Sequence, residues 1–202
     1  MKKTLRPSLH IIWRKGEVFM LIQKPYLRER AVMYANRWAF RRNPLFADFE
    51  NIGGNCTNFV SQCVYAGSCV MNYLNLFGWY YISLDDRTPS WSGVTFFYNF
   101  ITTNQGVGPY GREVSRDEVE VGDVVQLYRE DKGFYHSLLI VDFADEDILL
   151  AAQSDDAYAR PLSSYTYDRE RFIKIDGVRL LSEDIGDCFV SVYDGVAIVP
   201  GG

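Results

Sequence analysis

A cysteine that opens a predicted helix and a histidine on a later predicted strand are the two side chains here whose types and spacing could do chemistry. Cys56 sits in Gly53-Gly54-Asn55-Cys56-Thr57-Asn58-Phe59-Val60-Ser61-Gln62. The glycines and Asn55 read as a tight turn, and residues 57–65 read as the helix that follows. At a helix N-terminus, unpaired backbone N–H groups and the macrodipole favour an anion, so a thiol placed there is drawn toward thiolate. About eighty residues later comes Tyr135-His136-Ser137-Leu138-Leu139-Ile140-Val141, a strand-like run holding the only histidine besides His10. A Cys nucleophile with a His base can transfer an acyl group through a thioester. A competing reading is structural. Cys56, Val60, Cys63 and Gly67 fall on one narrow helical stripe, which also suits a buried core thiol.

A third polar position follows from the hairpin after His136. A four-residue loop over residues 143–146 pairs Asp142 with Asp147 and sets His136 opposite Gln153. A two-residue turn at Asp145-Glu146 sets it opposite Asp155 instead. Both candidates share one face and Ser154 takes the other, because strand parity repeats every two residues. Gln153 would hold the imidazole by a neutral hydrogen bond, Asp155 by a charged one. For the oxyanion, the Cys56 backbone N–H needs one further donor, and Asn55 and Asn58 are candidates. Trp79 and Trp91 lie in an aromatic, turn-rich stretch over residues 70–92. They suit a substrate groove or, equally, an aromatic core layer.

The elements that must position these groups are coarsely visible. Residues 25–42 carry helical periodicity through Leu27, Ala31, Tyr34, Ala35, Trp38 and Ala39. Ser90 suits the N-cap of a further helix through Val94, Phe97, Tyr98 and Ile101. From Val121 the pattern turns to strands at residues 124–128, 136–143 and 147–153, with further runs at 171–175 and 188–199. Helices first and sheet second predict an α+β domain, with N-terminal helices packed on an antiparallel sheet.

Bulk composition narrows the classes. A chain of 202 residues, 48% hydrophobic and 15% aromatic, fits one folded domain and argues against disorder. The net charge of −5 without a basic stripe argues against nucleic acid as a partner. No apolar run approaches the ~18 residues of a membrane span. The four cysteines at 56, 63, 69 and 188 contain no Cys-x-x-Cys pair, and the two histidines add little, so no metal or other cofactor is expected. Cys56 and Cys63 are too far apart on one helix to be bridged, and free thiols in a reducing compartment are the simpler reading. Residues 9–13 are too short for a secretory core segment, which adds to an expected cytoplasmic location.

The run Gly53-Gly54-Asn55-Cys56-Thr57-Asn58-Phe59-Val60-Ser61-Gln62-Cys63 resembles the putative amidase domain family of Gram-positive bacteria, papain-like relatives of the NlpC-type and CHAP peptidoglycan hydrolases. Arg30-Ala31-Val32-Met33-Tyr34-Ala35, Trp79-Tyr80-Tyr81, Gly122-Asp123-Val124-Val125-Gln126, His136-Ser137 and Pro161-Leu162-Ser163-Ser164-Tyr165 continue the resemblance, over residues 25–177. It implies a papain-like, NlpC-type cysteine hydrolase fold, Cys56 as nucleophile, His136 as base, and an amide or peptide substrate such as peptidoglycan fragments. The family's usual His-Thr pair falls on Gln153-Ser154, a departure that leaves the third role open. A catalytically silent binding module and a thiol-dependent acyl transferase are the alternatives. On this reading residues 24–177 form the amidase domain, residues 1–23 an arm, and residues 178–202 a tail that could add an edge strand. Lys15-Gly16-Glu17-Val18 could be encoded by a purine-rich tract resembling a ribosome-binding site, so Met20 is a candidate start. Beginning there would leave 16 basic and 25 acidic residues, a net charge of −9.

Overall fold

The computed structural model describes residues 10–14, 17–181 and 186–197, with the backbone alone over residues 10–20. A hairpin of β1 (His10–Arg14) and β2 (Glu17–Lys24) precedes four helices: α1 (Arg28–Trp38), α2 (Cys56–Ser68), α3 (Pro89–Ser92) and α4 (Val94–Thr103). Six strands follow, β3 (Gly108–Val114), β4 (Val124–Arg129), β5 (Gly133–Ala144), β6 (Asp147–Ala152), β7 (Ala157–Pro161) and β8 (Arg169–Leu180), and then α5 (Phe189–Asp194). The strands form one open antiparallel sheet in the order β1-β2-β8-β4-β5-β6-β7, with β3 also on β8. The architecture is α+β, as the sequence pattern predicts.

Helix α1 is shorter than the periodic run because Tyr26 is drawn into the core, where its hydroxyl donates to Gly122 O at 3.2 Å. Ala31, Tyr34, Ala35 and Trp38 then form its buried stripe. Helix α2 is buried on nearly every side, which explains its largely apolar and small-polar composition. Gly67 near its end permits close approach of Tyr26, whose ring a Cβ would strike. Arg28 ties α1 to the sheet: it bonds Asp123 Oδ1 at 2.5 Å, Val121 O at 3.1 Å and Ile175 O at 2.8 Å. Ser90 is not a helix cap. Thr88 and Gly93 occupy the N-cap positions of α3 and α4, and Ser90 donates to Thr88 Oγ1 at 2.9 Å.

Both sheet faces are covered. Val124, Leu139, Val141 and Ile173 face the helices, while Val125, Leu127, Leu138, Ile140, Leu150 and Phe172 pack on the other face with Leu162. The β5–β6 hairpin has the two-residue turn at Asp145-Glu146, with Ala144 opposite Asp147 and Asp142 opposite Leu149. A bulge at Val141 then shifts the pairing by one, so that Ile140 lies opposite Leu150 and Leu139 opposite Ala151. Neither expected register therefore survives to His136.

Strands β2 and β8, far apart in sequence, are neighbours in this sheet. β2 runs through residues 20 and 23, the expected limits of an arm, and its Ile22–Lys24 end pairs with Leu180–Val178 of β8. Residues 1–9 lie outside the described residues. The strand expected at 188–199 is instead the helix α5, with 198–199 outside the described residues. It is helical because Val192 is buried, while Asn43 Nδ2 and Trp38 Nε1 reach its carbonyls at Val192 (2.8 Å) and Tyr193 (3.0 Å). The free-thiol expectation is also corrected: Cys69 and Cys188 form a disulfide across 119 residues of sequence, leaving Cys56 and Cys63 free. A bridge over that separation brings together residues no local pattern connects, and it withdraws the support the thiols gave to a reducing compartment.

Candidate active site

Cys56 is the first residue of α2, delivered by a turn that only permissive residues can make. Gly53 has φ 126° and Gly54 φ 95°, both in the left-handed half of conformational space. The facing loop between β6 and β7 is strained too, with Ser154 at φ 60° and Asp155 at φ 93°. Ser154 locks the two loops together. Its Oγ accepts the Asn55 backbone N–H at 2.5 Å and donates to Glu50 Oε2 at 2.8 Å. Sequence parity turned Ser154 away from the site; the bulge at Val141 and this strained turn bring it in.

A buried amide network fixes the same segment. Asn55 Oδ1 accepts from Phe49 N at 3.0 Å and from Asn58 Nδ2 at 2.8 Å, and Asn55 Nδ2 donates to Gln153 Oε1. Asn58 spends its second N–H on Ala47 O and accepts from Trp91 Nε1, both close to 3 Å. Gln153 Nε2 donates to Trp38 O and Arg41 O, each at 2.7 Å. Three expectations are corrected by these contacts. Gln153 is bonded to Asn55 and the α1 C-terminus rather than to His136. Both Asn58 N–H groups are taken, so neither is free for an oxyanion, and Asn55 is engaged in the scaffold. Trp79 and Trp91 are fully buried with ring centroids 4.8 Å apart, and they form a core layer rather than a groove wall.

Cys56 and His136 do line one pocket of about 410 Å³, with Gly53, Gly54, Tyr135, Ser154, Asp155, Arg160, Ser164, Tyr165 and Thr166. By strand alternation Ser137 faces the helices and His136 the other way, so thiol and imidazole reach the pocket from opposite sides of β5. They can share it because β6 ends at Ala152 and leaves this part of β5 uncovered. Among the described residues no hydrogen bond joins the two. Burial pushes the Cys56 thiol up from its ordinary range, against the opposing pull of backbone N–H groups of Ser137, Thr57 and Cys56 and of the Thr57 hydroxyl. Burial likewise pulls His136 down to about 4, with Asp155 acting against that and Arg160 reinforcing it. The helix N-terminus acts in the expected direction, but desolvation is larger, and both shifts favour neutral thiol and neutral imidazole over an ion pair.

Apart from Asp155, the pocket's far wall was not picked out as site residues from the sequence. Arg160 Nε donates to Ser164 Oγ at 3.0 Å, its guanidinium pairs with Asp155, and it stacks on Tyr165 at 4.0 Å from the ring centroid. The Tyr165 hydroxyl is buried without a hydrogen-bond partner among the described residues, and its ring centroid lies 6.2 Å from that of His136. The signal was present in the Pro161-Leu162-Ser163-Ser164-Tyr165 match. No metal-ligand cluster occurs among the described residues.

A thiol at a helix start and an imidazole on the sheet thus line one strained, amide-braced pocket of an α+β domain. The family described as "Putative amidase domain" matches residues 25–175, and the chain belongs to that family. A Bacillus subtilis (strain 168) relative, the uncharacterized protein YhbB, is 30% identical over 118 residues, which cover 57% of this chain and 37% of the relative. The chain thus spans little more than a third of that relative's length. No solved structure matches. No helix among the described residues is long and apolar enough to cross a membrane.

Proposed function

We propose that this domain is a papain-like cysteine amidase that cleaves an amide bond through a thioester on Cys56. The observation that carries the reading is the convergence of Cys56 and His136 on one pocket whose walls are rigid and polar. Because both groups rest neutral, the proton moves as the bond forms. An amide carbonyl enters over Cys56, the sulfur attacks the carbonyl carbon, and the thiol proton passes to His136. The backbone N–H of Cys56 supports the oxyanion. With Asn58 fully engaged and Asn55 held in the scaffold, the second contact would come from the pocket wall, where Tyr165 is the side-chain donor we propose. His136 then protonates the leaving amine, and water, deprotonated by the same imidazole, releases the acid.

Asp155 has a supporting role in this scheme. Its charge favours imidazolium at His136, so it stabilises the species formed during attack even though it is paired with Arg160. Peptides derived from cell wall are the substrate class we propose. The test uses the domain with a peptidoglycan digest and a panel of peptide amides, run beside Cys56→Ala and His136→Ala. Hydrolysis that both variants abolish, with a mass adduct on Cys56 that hydroxylamine removes, is the expected result. Hydrolysis that persists in Cys56→Ala overturns the reading. Added amines that capture the acyl group in place of water would make the domain a transferase.

A further inference from the structure

Behind Cys56, on the side away from the pocket, a line of hydrogen bonds runs from a buried guanidinium to the sulfur. Arg171 on β8 is sandwiched between Tyr98 and Phe134, 3.5 and 3.7 Å from their ring centroids. Its Nε and Nη2 both donate to Gln126 Oε1, at 2.8 and 2.5 Å. That contact fixes which way the Gln126 amide faces, so its Nε2 donates to Val94 O at 2.9 Å and to Ser137 Oγ at 3.0 Å. Ser137 Oγ is 3.0 Å from Thr57 Oγ1, and Thr57 Oγ1 is 3.8 Å from Cys56 Sγ.

The direction of the first part of this line follows from what each group can do. A guanidinium has donors only, so it must give to Gln126, and the amide must then give to Ser137. With one lone pair of Ser137 Oγ occupied, its O–H is available to Thr57, and the Thr57 O–H is then available to the sulfur; the contacts themselves allow either atom to donate, and the donor order is part of the proposal. We propose that Arg171, Gln126 and Ser137 act as positioning residues that hold the Thr57 hydroxyl as a donor to Cys56 Sγ. The inference rests on Cys56 being the nucleophile and adds how its anion is stabilised as the proton leaves. A line anchored by a cation and aligned donor to acceptor is stronger than isolated bonds of the same length, and it opposes the burial that disfavours thiolate.

The experiment measures the rate of Cys56 alkylation by iodoacetamide against pH in the full chain, with melting temperature as the check on folding. Thr57→Val removes the last donor and Thr57→Ser keeps it. Ser137→Ala breaks the line. Gln126→Glu is isosteric and keeps the Arg171 contact, but a carboxylate only accepts, so it reverses Ser137 and Thr57 and turns the hydroxyl away from sulfur. The charged and titratable groups that face Cys56 are His136 and Tyr135 from β5, Asp155, Arg160 and Tyr165 across the pocket. Thr57→Val, Thr57→Ser and Ser137→Ala leave all charges unchanged and decide the test, whereas Gln126→Glu also adds a carboxylate beside Arg171. Expected is a rise of about one pH unit in the alkylation midpoint for Thr57→Val, Ser137→Ala and Gln126→Glu, with rates about tenfold slower below the midpoint. Thr57→Ser should match the parent chain. An unchanged midpoint in whichever of Thr57→Val and Ser137→Ala folds, or a Thr57→Ser shift equal to that of Thr57→Val, overturns the inference. Alkylation does not need a substrate. Amide hydrolysis that survives Cys56→Ala would instead defeat the amidase reading and leave this result standing.

Discussion

Desolvation outweighs the helix terminus at Cys56, and this changes what its reactivity should look like. The thiol is only 7% exposed yet opens on the pocket, whereas Cys63 is fully enclosed and pushed up further by burial. Cys69 and Cys188 are bridged. Limiting iodoacetamide should therefore label Cys56 alone, with a rate that climbs through mildly alkaline pH instead of levelling near neutrality. Peptide mapping checks this, and labelling concentrated on Cys63 would contradict it. His136 gives a second prediction. Its folded pKa of about 4 lies below the unfolded 6.5, so the unfolded chain binds a proton first as pH falls. Above pH 6.5 the group contributes nothing. Between 6.5 and about 4 it costs roughly 1.4 kcal/mol of stability per pH unit. Urea unfolding at pH 7 and pH 5 should show the parent chain losing about 2 kcal/mol more than His136→Gln. Parallel losses would mean that the imidazole titrates normally.

At the scale of elements, the turn before α2 and the loop before β7 behave as one brace. Asn55 and Gln153 exchange a hydrogen bond at its centre, and each also holds backbone groups from a different segment. Asn55→Ala would leave the buried N–H groups of Phe49 and Asn58 without their acceptor and Gln153 Oε1 without its donor, and should destabilise the domain by about 2–4 kcal/mol. Gln153→Ala should cost a similar amount, and the double variant clearly less than the sum, because the two act through a shared contact. Denaturant unfolding of the three variants checks this. If Gln153→Ala left stability intact and altered only the pH dependence of alkylation, its role would lie at His136 after all. This brace also marks where the sequence was legible. The Gly-Gly-Asn turn, the helix it opens and the strand carrying His136 all follow local rules of backbone freedom and periodicity, and they stand close to where those rules put them. The bulge at Val141 obeys no local rule. One extra residue there reversed the parity on which the choice between Gln153 and Asp155 depended.

Across the whole molecule, the features hidden from the sequence are those joining distant segments. The disulfide joins the end of α2 to the start of α5, and α5 in turn grips α1. Cys188 immediately precedes Phe189, Asn43 links Val192 O to the Tyr34 hydroxyl at 2.9 Å, and that hydroxyl donates to Gln62 of α2 at 2.6 Å. Arg30 adds a paired contact to Asp187 at 2.7 and 2.8 Å. The β-branched and aromatic residues of α5 read locally as a strand, and only these tertiary contacts make them a helix. Closing a loop of this length restricts the unfolded chain, so the bridge should add about 2–4 kcal/mol to stability. Reduction should then lower the melting temperature by roughly 5–12 °C, given the sensitivity of a domain of this size. Cys69→Ser with Cys188→Ser should reproduce the shift and abolish the response to reductant. Because the bridge ties α5 to the C-terminal end of α2, the opposite end from Cys56, the folded, reduced protein should still alkylate at Cys56 at the parent rate. A melting temperature indifferent to reductant would show that the two sulfurs are not bridged in solution. A large change in Cys56 reactivity on reduction would show instead that α5 controls the start of α2.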